Sequence, residues 1–246
     1  MFLEASAMDM LKAKLSERAE IRAIMQAPRV LRRSWVYLYF LIYLPWFFGL
    51  EKVVTQYYLI ECRMDYMIPF CEYFIVPYLF WFVYIAITFA WFHLYEDDRL
   101  FYRLCAVMFA GMTIALIIYT IFPNGIQIRP EIDASKNIFT WLTAMIYSSD
   151  TSANVFPSLH VYESCIAAAF FARSNLAKRH PSVKYANYVI AFLIVLSTVF
   201  LKQHSVLDLL AGVVMAWGLT RAAFIDEVAA GEIRIGSKEH GLVLKW

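Results

Sequence analysis

The 246-residue sequence is poor in charge. Asp, Glu, Lys and Arg make up 17% of it against 61% hydrophobic residues, and the mean hydropathy is +0.57. That balance excludes a soluble domain of this size; with several long apolar runs it indicates one polytopic helical membrane domain. The net charge is only +2, and nothing in it points to a nucleic-acid partner. Cysteine is scarce too. Cys62, Cys71, Cys105 and Cys165 show neither metal-ligand nor redox spacing. Cys105 and Cys165 lie in apolar runs as plain core residues, while Cys62 and Cys71 flank one loop and would pair only if geometry allowed. There is no internal repeat and no low-complexity tract. The amino-terminal stretch lacks a short apolar region leading to a small-residue cleavage site, so it does not read as a signal peptide.

What is present divides into three parts: a cytoplasmic amino-terminal segment (1–33), a membrane domain (34–225) and a cytoplasmic tail (226–246). In the first, Met8, Leu11, Leu15, Ile24 and Met25 alternate imperfectly with Lys12, Lys14, Arg18 and Arg22. This pattern fits an interfacial helix on an anionic membrane, or a solvated tail helix, ahead of the basic cluster Arg29, Arg32 and Arg33. Six spans follow: Trp35 to about Val53, a second within Phe70 to Tyr95, Leu100 to about Phe122, Pro157 to about Ala172, Tyr185 to about Leu201, and Val206 to about Arg221 or Ile225. Trp141 to Tyr147 reads as a short half-buried helix inside the long connection 123–155. The expected fold is all-α, a six-transmembrane-helix bundle with an amino-terminal interfacial helix.

Charge gives an orientation. The amino segment, the second connection with the start of the third span, the fourth connection and the carboxyl end from Arg221 on hold 17 of the 22 Lys and Arg residues. The positive-inside rule then puts both termini in the cytoplasm of a multi-pass cell-membrane protein. The third and fifth connections face outward, and polar residues gather there. Phe156-Pro157-Ser158-Leu159-His160 turns a polar loop into an apolar helix, with Ser158 suited to capping and the helix start to an anion. Arg129-Pro130 lies just past the third span, and Lys202, Gln203, His204 and Asp208 occupy the junction of the last two. His204 and Asp208, four apart, share one helix face, so the carboxylate can orient the imidazole. Singly, these residues read as a capped helix, a structural capping pair and interfacial anchors. Together on one side they suit a phosphate and a nucleophile or base.

The same residues resemble the phosphatidic acid phosphatase type 2 superfamily of membrane phosphatases and phosphotransferases. Its Pro-Ser-x-His motif is matched by Pro157, Ser158, Leu159 and His160. Its His-x3-Asp, followed by an apolar helix, is matched by His204 and Asp208, and its Arg-Pro by Arg129 and Pro130. The resemblance covers roughly Phe70 to Arg221. It implies a two-step transfer in which His204 attacks phosphorus, Asp208 orients it and His160 protonates the leaving oxygen, then activates the acceptor. Arg129, Ser158 and Lys202 are the implied substrate contacts, and no metal or cofactor is required. Partners would be the bilayer and a lipid phosphate.

Two positions depart from the pattern. Phe122 stands where the first motif begins with lysine, and Thr198 where the third carries arginine. Two cationic contacts are absent, each of about 1.5–3 kcal/mol, and a phosphodiester with one negative charge would need fewer. The first expectation is a phosphatase for a lipid mono- or diphosphate through a phosphohistidine. The alternatives are a phospho-headgroup transferase, like the inositolphosphotransferase and sphingomyelin synthase branches, and a catalytically inactive lipid-binding protein.

Overall fold

The computed structural model describes residues 28–225. The expected interfacial helix falls largely on residues 1–27, and it lies outside the described residues, as does the tail from 226 on. The chain divides into two units, Met1–Ile42 and Tyr43–Trp246. In the first, residues 28–42 are helical, with a 3-10 stretch at Ser34–Tyr39, and the Ser34 hydroxyl donates to the Val30 carbonyl at 3.0 Å.

The remaining elements are α1 (Phe40–Val53), β1 (Tyr58–Leu59), α2 (Arg63–Met67), α3 (Ile75–Tyr95), α4 (Asp98–Ile121), β2 (Asn124–Gly125), α5 (Ile138–Ser149), α6 (Leu159–Phe171), α7 (Asn175–Arg179), α8 (Pro181–Phe200) and α9 (Val206–Ala223). Five stretches are long and apolar enough to cross a membrane: Pro28–Val53, Glu72–Tyr95, Asp98–Ile121, Pro181–Phe200 and Val206–Ala223. The protein is all-α and polytopic.

The expected fourth span is the exception. At 13 residues, α6 is about 20 Å long, well short of a hydrocarbon core of about 30 Å. It packs against α3, α4, α8 and α9, and its buried residues run round most of the helix, from Leu159, Val161 and Tyr162 to Phe170 and Phe171. A helix enclosed on all but the strip of half-buried Cys165 and Ala169 need not span the bilayer itself, because longer apolar helices surround it. Two glycines let those neighbours close in. A Cβ at Gly111 of α4 would overlap the Tyr162 ring at 2.1 Å, and one at Gly212 of α9 would stand 2.7 Å from the Ser158 carbonyl.

Two boundaries differ from expectation. The fifth span starts at Pro181, because proline suits the first helical turn, and the basic loop ahead of it folds into α7. The half-buried helix in the long connection extends over Ile138–Ser149, capped by Asn137, whose Oδ1 accepts from Phe139 and Thr140 N–H at 2.9 Å. All four cysteines are free.

Near the start of α6, loops knit into a polar cap. β1 pairs with β2 in parallel, and Gly125 bridges to Ala153. Asn124 is the central tie: its Oδ1 accepts from Val155 and Phe156 N–H, and its Nδ2 donates to the Phe122 and Phe156 carbonyls. Glu51 of α1 reaches Thr151 Oγ at 2.5 Å and Asn154 Nδ2 at 2.9 Å.

Candidate active site

The start of α6 is fixed from three directions. The Tyr119 hydroxyl donates to the Pro157 carbonyl at 2.7 Å, Asn124 holds Phe156, and Ser158 N–H donates to the Asp208 carbonyl at 3.2 Å. That last bond joins the first turns of α6 and α9, the two elements carrying His160 and Asp208. Ser158 Oγ caps α6 by accepting from Val161 N–H at 3.4 Å. The amides of Leu159 and His160, at the positive end of the helix dipole, keep no partner among the described residues.

The loop before α9 is held as firmly. Lys202 adopts a left-handed backbone, φ 52°, a conformation unfavourable by about 1–2 kcal/mol for a side chain with a Cβ. It reverses the chain so that Gln203 and His204 N–H both donate to the Thr198 carbonyl, at 2.9 and 3.1 Å. The Lys202 ammonium secures the turn by donating to the carbonyls of Asp65 and Ile68. Two of its three N–H donors are thereby engaged away from the imidazoles. Burial lowers the Lys202 pKa, with the Asp65 carboxylate opposing that shift. Asp65, itself buried, accepts from Ser205 Oγ at 2.7 Å and Val206 N–H at 2.8 Å, and so caps α9 from outside.

Between these anchors the sequence-predicted residues meet. The His160 and His204 ring centroids are 5.7 Å apart. His204 Nδ1 lies 3.4 Å from Asp208 Oδ2, an ion-pair distance without hydrogen-bond alignment. The same oxygen accepts from Ser205 N–H at 2.8 Å, and Asp208 is fully buried. With Nδ1 turned to the carboxylate, Nε2 is the nitrogen left free of it. Arg129 approaches through its guanidinium. Nη1 donates to the Asp150 carbonyl at 2.8 Å and the Tyr147 carbonyl at 3.5 Å, Nη2 to the Thr151 carbonyl at 2.9 Å and to Gln203 Oε1, and the guanidinium lies over the Tyr147 ring, 4.7 Å from its centroid. Only Nε–H is left for another partner.

Four further residues belong to the site. Tyr78 and Trp81 of α3 both pack on His160, at centroid distances of 4.7 and 4.2 Å, and the Tyr78 hydroxyl donates to Asp150 Oδ2 at 3.3 Å. Burial raises the Asp150 pKa, with Arg129 and His204 pulling it the other way. Gln203, adjacent to His204, is buried. The two departures are also explained locally. Phe122 stacks on Tyr58 at 5.1 Å, and the buried Thr198 donates to the Val195 carbonyl at 2.8 Å.

Buried polar atoms are normally partnered. Here His160 Nε2, His204 Nδ1, Asp208 Oδ1, Arg129 Nε, Gln203 Nε2 and Trp81 Nε1 all lack a hydrogen bond. Their concentration round the two imidazoles and Arg129 suits a polar ligand. Among the described residues no group of three or more His, Cys, Asp or Glu could hold a metal ion.

A family model described as the PAP2 superfamily matches residues 106–230, just over half the chain. The match contains Arg129, Ser158, His160, Lys202, His204 and Asp208 and excludes Asp65, Tyr78 and Trp81. No curated protein and no solved structure gave a match.

Proposed function

The chain belongs to the PAP2 superfamily, and on that premise we propose that it is an integral membrane enzyme transferring the phosphoryl group of a lipid phosphate through a covalent intermediate on His204. Membership carries phosphatase or phosphotransferase activity in general. The finer reading rests on one observation, the facing imidazoles of His160 and His204 at 5.7 Å with Asp208 behind the second.

In this reading His204 Nε2 attacks phosphorus and the bond to the lipid oxygen breaks. His160 gives that oxygen a proton, so the alcohol leaves neutral. His160 then takes a proton from water as the water oxygen attacks phosphorus, the P–N bond breaks, and phosphate and free His204 are regenerated. Asp208 balances the charge that grows on His204 at each step. The amides of Leu159 and His160 and the Arg129 Nε–H are disposed to hold phosphoryl oxygens, while Lys202 serves chiefly to hold the loop. With water as acceptor the enzyme is a lipid phosphatase. An alcohol acceptor would make it a headgroup transferase; that second reading is favoured by the loss of cations at Phe122 and Thr198. In either case the proposed site faces outward and the termini inward, an orientation supported by the Lys and Arg distribution.

The test is a lipid panel incubated with purified wild type and His204→Ala, reading free phosphate and headgroup products together. Free phosphate from a lipid monophosphate or diphosphate, lost in the variant, supports the phosphatase. Headgroup exchange without phosphate release supports the transferase. Equal lipid turnover by both proteins would leave only an inactive lipid-binding role.

A further inference from the structure

Trp81 and Gln203 are the two uncharged side chains at the site whose donors have no acceptor. Trp81 packs its indole on His160 with Nε1 buried and unpartnered. Gln203 is buried, its Oε1 accepts from Arg129, and its Nε2 is left without an acceptor. The acceptor side of Gln203 is thus occupied by a donor, which fixes the amide so that its NH2 points elsewhere. Each is one step from a reacting imidazole: Trp81 touches His160, and Gln203 precedes His204.

The charges nearby are sparse. Arg129 is engaged by three backbone carbonyls and Gln203, and the Lys202 ammonium by two more carbonyls. Against them stand the carboxylates of Asp208 and Asp150. Hydrogen bonds to carbonyls leave both cations charged, but two cations set against two carboxylates give the site no surplus of positive charge. A dianion needs such a surplus to repay its desolvation, whereas a monoanion needs mainly hydrogen-bond donors.

We propose that Trp81 Nε1–H and Gln203 Nε2–H bind the phosphoryl oxygens, and that these uncharged donors make the site selective for a phosphate of single charge. The substrate class is then a phosphodiester lipid in preference to a dianionic monoester. This rests on the His204 reading and deepens it.

Release of diacylglycerol is common to both classes. His204 attack on phosphatidic acid and on a phosphodiester such as phosphatidylglycerol expels the same alcohol, so one assay in mixed micelles compares them. Wild type is expected to show the higher kcat/KM on the diester. Trp81→Phe keeps the ring against His160 and deletes the donor. It should lower kcat/KM by about 10–100-fold, the loss of one hydrogen bond to a charged group. Gln203→Lys should move the ratio of monoester to diester kcat/KM at least about 10-fold toward the monoester, and it tests the charge claim should Trp81→Phe fail to fold. Unchanged kcat/KM in folded Trp81→Phe, a wild type that prefers phosphatidic acid, or an unmoved ratio in Gln203→Lys would overturn the proposal. Diacylglycerol release that survives His204→Ala would instead overturn the covalent reading beneath it.

Discussion

Asp150 lies where three influences meet: the Arg129 guanidinium on its carbonyl, the Tyr78 hydroxyl on its carboxyl, and burial. Burial outweighs the attraction of Arg129 and His204 and raises its pKa above the ordinary 3.8. The folded chain therefore binds this proton more tightly than the unfolded one. The resulting stabilisation is complete below pH 3.8 and is lost as pH rises through the raised value. Asp150→Asn carries no such loss, so its melting temperature relative to wild type should climb from about pH 4 and then level off. Melts in detergent across pH check this; a pH-independent difference would refute it. At this scale the sequence revealed His160, His204, Asp208 and Arg129, because histidine and carboxylate four apart, or arginine at a membrane edge, stand out against apolar neighbours. Trp81 and Tyr78 did not stand out, since an aromatic in an apolar helix looks the same whether it faces lipid or an imidazole. Asp65 was hidden for a related reason: its role exists only through contacts remote in sequence, 140 residues apart for Asp65–Ser205, whereas Gln203 was visible beside His204 but its bond to Arg129 was not.

The candidate site is carried by the first turns of α6 and α9, which approach each other closely at Gly212. A methyl there would meet the Ser158 carbonyl at 2.7 Å and Val161 Cβ at 3.1 Å. Neither backbone can yield without shifting His160 against His204. Gly212→Ala should cost about 1–3 kcal/mol of stability by overpacking and depress turnover further than that loss explains. Gly218→Ala, on the same helix with nothing within 4 Å, should be neutral or stabilising by up to about 1 kcal/mol. Melting and turnover measured on both variants separate packing from propensity; equal behaviour would contradict this account. The long apolar helices were legible because hydropathy reports length and composition directly. The short length of α6 was legible too, since its apolar run ends at Ala172 before Arg173 and Ser174; its enclosure was not, because burial by neighbours leaves no separate mark in the sequence.

For the whole molecule, α3, α4, α8 and α9 pack around α6, and the orientation proposed from the Lys and Arg distribution awaits a direct test. Glu131 is exposed in the connection after β2, and Lys178 is exposed on α7. In a Cys62→Ser, Cys71→Ser background, Glu131→Cys should react with a membrane-impermeant maleimide on intact cells, and Lys178→Cys only after permeabilisation. The reverse pattern would invert the orientation. The central claim, however, is the covalent step, and trapping tests it most directly. Wild-type protein mixed with a lipid carrying labelled phosphate, then quenched in alkali within one turnover, should yield label on His204 by peptide mass spectrometry. No label should form in His204→Ala. Product formed by wild type with no label on His204, or with label on another residue, would contradict the account.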